Sequence, residues 1–356
     1  MLAMTAYVAR PKILVADQAN AGLATDALSV LVEETSEGLY RCEACFSNFG
    51  PSGNRADYLY LGRDTLDFGK DFAVELGAGD RAGRVFVGRI TGLEAEFSTT
   101  GSQIIVLAED RLQALRMTRR TRSFEDVSDE DILRQIANEH SLTPQLSMDG
   151  PTHRSVAQVN LSDLAFIRER ARSVGAEVWV DGTTLHASAR TSRSGGTLKL
   201  EFPINLRAFN VRADLVDQCS EVGVSGWDVA AKDGIEESAG ASVISAELGN
   251  DVSGSSILES ALAPRKERVV HTVPLTSAEA RSLAQARYKE RARRFVTGSG
   301  TADGDARIRV GATVSVTGVG GLFNGKYYVV RARHIYDGNF GYRTEFDVER
   351  PGLGRP

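Results

Sequence analysis

Three cysteines, five histidines and several dense charge groups are the reactive side chains of this 356-residue sequence. Cys42 and Cys45 have the Cys-x-x-Cys spacing of metal sites and redox dithiols. That chemistry needs both sulfurs on one side. Leu39 to Phe46 reads as a strand, however, and positions i and i+3 of a strand point to opposite faces. No second pair follows, and the nearest histidine in sequence is His140. The cysteines are therefore expected to pack as small hydrophobes, without a bound metal, and three are too few for a disulfide framework. His140, His153, His186, His271 and His334 are scattered. Asp129-Glu130-Asp131 is the densest acidic group, and a helix N-terminus, where negative charge is favourable, accounts for it. Arg116, Arg119, Arg120 and Arg122 form one basic group, and Arg287, Lys289, Arg291, Arg293 and Arg294 another. Either suits a channel, a phosphate or a partner; a solvated face is the commoner use of such runs. HExxH, GxSxG and GxxxxGK[ST] do not occur, and the glycines mark turns between strands. No catalytic residue, cofactor site or metal site is assigned.

The composition is that of a soluble globular protein, 42% hydrophobic and 25% charged, long enough for two or three domains with their own cores. A net charge of −5 argues against a chain-wide grip on nucleic acid or anionic lipid. Met1 to Ala9 lacks the ordered regions of a secretory signal, and no apolar run approaches the ~20 residues of a membrane span. The chain is expected to be made in the cytoplasm and to leave the cell, if at all, within a larger particle.

The elements that must position these residues fall into three stretches. Up to about residue 118 short alternating runs dominate: Ala27 to Glu34, Leu39 to Phe49, Phe72 to Leu76, Arg84 to Ile90, Gly92 to Phe97 and Ile104 to Ala108. Asn48 to Lys70 reads as a loop or a helical insertion. From about 119 to 196 the pattern turns α/β. Ser128 caps a helix with Ile132, Leu133, Ile136 and Ala137 as its stripe, and a second helix runs from Ser162 to a stop at Gly175. Asp181-Gly182 then turns a hairpin. Residues 191–197 read as a linker. From 197 to 350 strands return, with a Ser-, Ala- and Gly-rich stretch at about 237–257 expected as a flexible excursion. A long helix at about 277–295 is launched by Thr276 and Glu279 as a capping box. Residues 351–356 are a tail. The fold class is α+β and mainly β, with two β modules flanking a small α/β unit and no close sequence repeat between them.

Three segments resemble a known family. Asp163 to His186 is similar to a pattern of the phage late control protein D family: a helix with Phe-Ile-x-x-x-Ala, a glycine, a strand, a turn and Leu-His. Phe323 to His334, continued by Gly341 to Arg350, resembles that family's closing hairpin, and Val127 to Leu142 its first middle-domain helix. The family includes baseplate hubs of contractile phages and the hub part of VgrG spike proteins. The resemblance implies two tail-tube-like β-barrel domains per chain and a homotrimer, so that six barrels present both threefold and sixfold order. It implies a non-enzymatic adaptor in a virion or phage-tail-like injection particle. Its partners would be a separate spike protein, the inner tube or a tube initiator, other baseplate subunits, and cargo passing through a lumen. VgrG-type chains continue into a needle; this sequence stops at Pro356, so the spike is expected as another chain. Candidate assembly contacts are Tyr327, Tyr328, Val330, Tyr342 and Phe346, each of which serves equally well as barrel core. The competing expectations are a tail-borne cell-wall hydrolase or binder, needing convergent carboxylates in a cleft, and a nucleic-acid-binding barrel.

Overall fold

A computed structural model describes residues 10–52, 54–193, 195–229 and 231–354. The apolar start Met1 to Ala9 lies outside the described residues. The fold is α+β and mainly β, organised on a 13-stranded sheet. Along it run Leu206–Ala213, Val296–Asp303, Gly341–Arg350, Gly325–Asp337, Ala27–Thr35, Arg41–Ser47, Gly101–Glu109, Gly83–Ser98, Asp71–Leu76, Lys12–Val15 and Gln18–Ala19. Thr313–Thr317 covers the first part of Gly325–Asp337 and carries Thr197–Glu201 beside it. The early and late β stretches are thus joined by main-chain pairing. Arg331–Asp337 lies antiparallel on Ser29–Thr35, with His334 opposite Val32. Among the described residues these pairings close neither half into a barrel.

Alternation decides which side chains go inside. In Ala27–Thr35 the even positions Val30, Val32 and Glu34 are buried, and in Arg41–Ser47 the even positions Cys42, Ala44 and Phe46. Val30, Val32, Cys42, Ala44 and Phe46 meet Phe72, Val74, Phe86 and Val106 in a first core, which Ala306 and Tyr336 enter from the late half. A second core, around Phe124, Ile132, Leu133, Ile136, Phe166 and Ile167, holds the middle helices Asp129–Glu139 and Asp163–Ser173. A third lies under the late strands around Phe295, Tyr327, Val329, Phe346 and Val348. A fourth joins a three-stranded sheet to the long helix Ser277–Arg293 through Val222, Val224, Leu283, Ala284 and Tyr288.

The turn at Gly38, φ +69°, presses on the middle unit so closely that a Cβ there would sit 2.5 Å from the Val178 carbonyl oxygen. Asn48 to Lys70 holds a short hairpin, Phe49–Ser52 with Arg55–Tyr58, and no helix among its described residues. The stretch 237–257 is not a flexible excursion. It completes the strand Asp233–Gly240 and opens the helix Gly254–Ala261, capped by Ser253. Its small residues serve close packing: a Cβ on Gly254 would meet the Phe295 ring at 2.6 Å. The expected linker 191–197 begins with a 3-10 turn, Arg190–Ser192, and seats Arg193 in the interior, 9% exposed. In the expected tail, Gly352–Leu353 pairs with Val252–Ser253.

Candidate assembly surface

The junction between the two halves is built from charged side chains at inward-facing positions. Glu34 follows Val30 and Val32 on the inner side of its strand and is 1% exposed. Its carboxylate accepts from the Arg309 guanidinium and, at 3.2 Å, from the Val310 N–H. Arg193 donates to the Tyr40 hydroxyl at 2.6 Å and to Glu177 at 2.9 Å. Its guanidinium also lies 4.0 Å from the Trp179 ring centroid. Arg190 bridges Glu177 and Glu349, and the Tyr328 hydroxyl donates to Glu177 at 2.7 Å. Tyr40 belongs to the first half, Glu177 to the middle unit, and Tyr328 and Glu349 to the last stretch. One network therefore fixes all three against each other. Burial pushes the Tyr328 phenol up, with the Glu177 carboxylate adding to it. His334 is fully buried; its Nδ1 lies 2.8 Å from the Tyr342 hydroxyl and its Nε2 is unpartnered. Burial, reinforced by Arg309, drops its pKa to about 3.

A second network ties the middle unit to the long helix. His153 contacts Asp129 at 3.1 Å and Glu279 at 2.8 Å, and Arg170 holds the other Asp129 oxygen at 2.5 Å. Burial alone would lower the His153 pKa, but the two carboxylates outweigh it and raise it to about 9. Ser128 caps its helix as expected, and with Asp131 it completes a capping box. Thr276 caps the long helix as expected, whereas Glu279 accepts from the Leu275 N–H rather than from Thr276.

The five candidate contacts separate. Tyr327 and Phe346, 1% and 2% exposed, fill the third core. Tyr328 works in the junction network and Tyr342 against His334, both half-buried, and Val330 is the half-buried extra residue of a bulge in its strand. The basic groups are largely matched. Arg120 and Arg122 meet Asp163 and Glu139, Arg116 meets Glu109, and Arg291, Arg293 and Arg294 meet Glu267, Glu247 and Glu290. Cys42 is buried and Cys45 half-buried, on opposite faces of their strand.

Carboxylates converge in a cleft at Glu177, Glu290 and Glu349, but each already meets at least one arginine. Burial lifts the Asp110 carboxyl to about 7. That group is 3% exposed and occupied by the N–H groups of Tyr40 and Leu112, so no substrate reaches it. Among the described residues no helix is long and apolar enough to cross a membrane, and no group of side chains is placed to hold a metal ion. The junction residues missed by sequence reasoning are Glu34, Arg193 and Arg309. For Glu34 the signal was present, a charge at an inward position of an alternating strand.

Comparison with known proteins places this geometry. A 43 kDa tail protein of prophage MuSo2 from Shewanella oneidensis superposes with a TM-score of 0.69 at 13% identity, covering 96% of this chain and 98% of that one. A tail protein of Neisseria meningitidis MC58 gives 0.65 at 13% identity, covering 97% of each chain. The E. coli c3393 protein gives 0.61 at 14% identity, covering 98% of this chain and 79% of that one. It is described as a type VI secretion component with structural similarity to the T4 bacteriophage tail proteins gp27 and gp5. No curated protein matches the sequence. These likenesses bear out, at the level of fold, the resemblance carried by residues 163–186 and 323–350. The family model described as the Alg8 N-terminal domain matches residues 52–337, so the chain belongs to that family, on a fold shared with phage-tail proteins.

Proposed function

We propose that this chain is a structural baseplate hub of a contractile, phage-tail-like injection system: a trimeric adaptor joining a central spike to the inner tube around a lumen for cargo. The observation that carries the reading is the joining of two β halves into one sheet by the pairing of Arg331–Asp337 with Ser29–Thr35. Two tube-like modules per chain, repeated in three chains, give six modules in a ring. Such a ring meets a threefold spike on one side and a sixfold tube on the other. The tail-protein fold of the Shewanella, Neisseria and E. coli chains supports the same reading.

The corresponding division is a first tube-like domain at 1–118, a middle α/β domain at 119–196 and a second tube-like domain at 197–350. The chain works without catalysis, beside a separate spike protein, the tube or its initiator, and other baseplate subunits, in a virion or related particle. Of the sequence-derived contacts, Val330, Tyr328 and Tyr342 keep part of their side chains accessible. Light scattering of the purified protein, alone and with the spike protein, tests the reading. A trimer that binds spike is expected; a monomer at all concentrations that never joins a spike overturns it. The wall-hydrolase alternative predicts lysis lost on changing Glu177 or Glu349, and it is disfavoured because arginines occupy both carboxylates.

A further inference from the structure

The two halves of the large sheet repeat one strand plan, irregularities included. In the first half Gly83–Ser98 pairs with Gly101–Glu109 across a register shift between Ile90 and Gly92. In the second, Gly325–Asp337 pairs with Gly341–Arg350 across a shift between Val329 and Arg331. The flanking pairs match as well. Ala27–Thr35 shifts on Arg41–Ser47 between Ala27 and Ser29, and Leu206–Ala213 shifts on Val296–Asp303 between Leu206 and Ala208. A bulge inserts one residue and pins register, so coincident bulges align the halves residue by residue. Gly92–Ser98 corresponds to Arg331–Asp337, and Ser29–Glu34 to Ala208–Ala213. The match ends at the outermost strands: Lys12–Val15 runs antiparallel to Asp71–Leu76, whereas Thr197–Glu201 runs parallel to Thr313–Thr317.

Inside the chain, Arg331–Asp337 has its second edge filled by the strand Ala27–Thr35. Among the described residues its counterpart Gly92–Ser98 has no strand on that edge, since Asp71–Leu76 pairs only as far as Arg89. The counterpart of Ala27–Thr35 is Leu206–Ala213, the open end of the sheet. Burial reports the same vacancy of contact. His334 and Tyr336 are 0% and 4% exposed, whereas Ala95 is exposed and Phe97 stands 59% exposed at the matching positions. An uncovered pair of edges is costly to leave open and is a ready template for another chain.

We propose that a second copy of this chain fills the vacancy: Leu206–Ala213 of one copy pairs antiparallel with Gly92–Ser98 of the next, in the register of the internal junction. That junction sets Arg333 opposite Glu33 and Tyr336 opposite Val30. Carried across, the rule sets Glu94 opposite Arg212 and Phe97 opposite Phe209. The charges remain complementary with their signs exchanged, and Phe97, which meets Tyr58 edge-to-face at 5.5 Å within its own chain, gains a second aromatic neighbour. Glu94 makes no ion pair among the described residues, and Arg212, 75% exposed, reaches only Asp214 at 3.8 Å. The contact is head-to-tail, so its repetition gives a ring when the rotation between successive copies closes, as the assembly reading requires. The inference rests on the assembly reading above and adds which edges meet and in what register.

The test is self-association by light scattering for the native chain, Glu94→Arg, Arg212→Glu and the double variant. Each single variant places like charges opposite one another and is expected to weaken association about tenfold, with the double variant restored toward native. Both side chains are exposed, so thermal melts at a dilution where all four proteins are monomeric should coincide, separating assembly from folding. A native oligomer indifferent to both single changes overturns this register while leaving the assembly reading intact. A native chain that stays monomeric at all concentrations, alone and with the spike protein, overturns both.

Discussion

Arg309 closes its guanidinium on the carboxylate of Glu34, a residue 275 positions earlier, and the carboxylate is sealed from solvent at 1% exposure. The pair sits where the two β halves meet. Desolvating a carboxylate is costly, and the Arg309 guanidinium and the Val310 N–H offset that cost only while both are present. Glu34→Ala is expected to destabilise the chain by about 3 kcal/mol in denaturant titration. Arg309→Met is expected to cost at least as much, because it leaves the carboxylate buried. If either change costs under about 1 kcal/mol, the pair is not what holds the halves together.

His334 makes the same junction sensitive to acid. Its folded pKa is about 3, against 6.5 ordinarily, because burial and the nearby Arg309 disfavour the imidazolium. The unfolded chain therefore takes up a proton that the folded chain refuses. The stability this protects is fully present above pH 6.5 and falls as pH drops from 6.5 toward 3. His334→Gln should flatten that part of the pH–stability curve while lowering stability at pH 7 by about 1 kcal/mol through the disturbed Tyr342 contact. A curve between pH 6 and 4 identical to that of the native chain would remove His334 from the acid response.

Local features of the fold were legible in the sequence, and relations between distant segments were not. Ser128 with Asp131 satisfies a helix start within four residues, and Asp181-Gly182 turns a hairpin whose flanks pair as Val180 with Leu185. Such signals are complete in themselves. The polar strands Arg119–Ser128 and Thr152–Ser162 pair over most of their length, yet neither carries a strong apolar alternation to announce it. The pairing of Arg331 with Thr35 leaves no mark in either strand's pattern, because alternation gives a strand's faces but not its neighbour. Alternation put Tyr327 and Tyr328 on opposite faces. It gave no indication that Tyr328 meets Glu177 inside the chain rather than another subunit.

Tyr328 allows the internal and external uses of the closing hairpin to be separated. Its hydroxyl donates to Glu177, and the Arg190 guanidinium lies 4.3 Å from its ring centroid. Tyr328→Phe keeps the ring and removes one hydrogen bond to a charged acceptor, for an expected loss of about 2 kcal/mol in stability. Self-association measured well below the melting temperature should not change. Weakened association at unchanged stability would assign the residue to a subunit contact instead.

His153 predicts the opposite pH response at another seam. Its ring lies between Asp129, on the first middle helix, and Glu279, on the long helix of the last stretch, with Arg170 closing the far side. Two carboxylates against one guanidinium leave a place for a second positive charge, and the imidazolium supplies it. The folded pKa of about 9 lies above the ordinary 6.5, so the folded chain holds the proton more tightly than the unfolded one. This contribution is fully present below pH 6.5 and is lost as pH rises through 9. Screening at the partly accessible Glu279 reduces its size to about 1–2 kcal/mol. Denaturation midpoints should therefore decline between pH 7 and 10 in the native chain and stay level over that range in His153→Gln. Because the histidine joins the middle unit to the long helix, hydrogen exchange in Ser277–Arg293 should quicken at pH 10 before the large sheet responds. Equal acceleration in both regions would show that this ion cluster does not govern the seam.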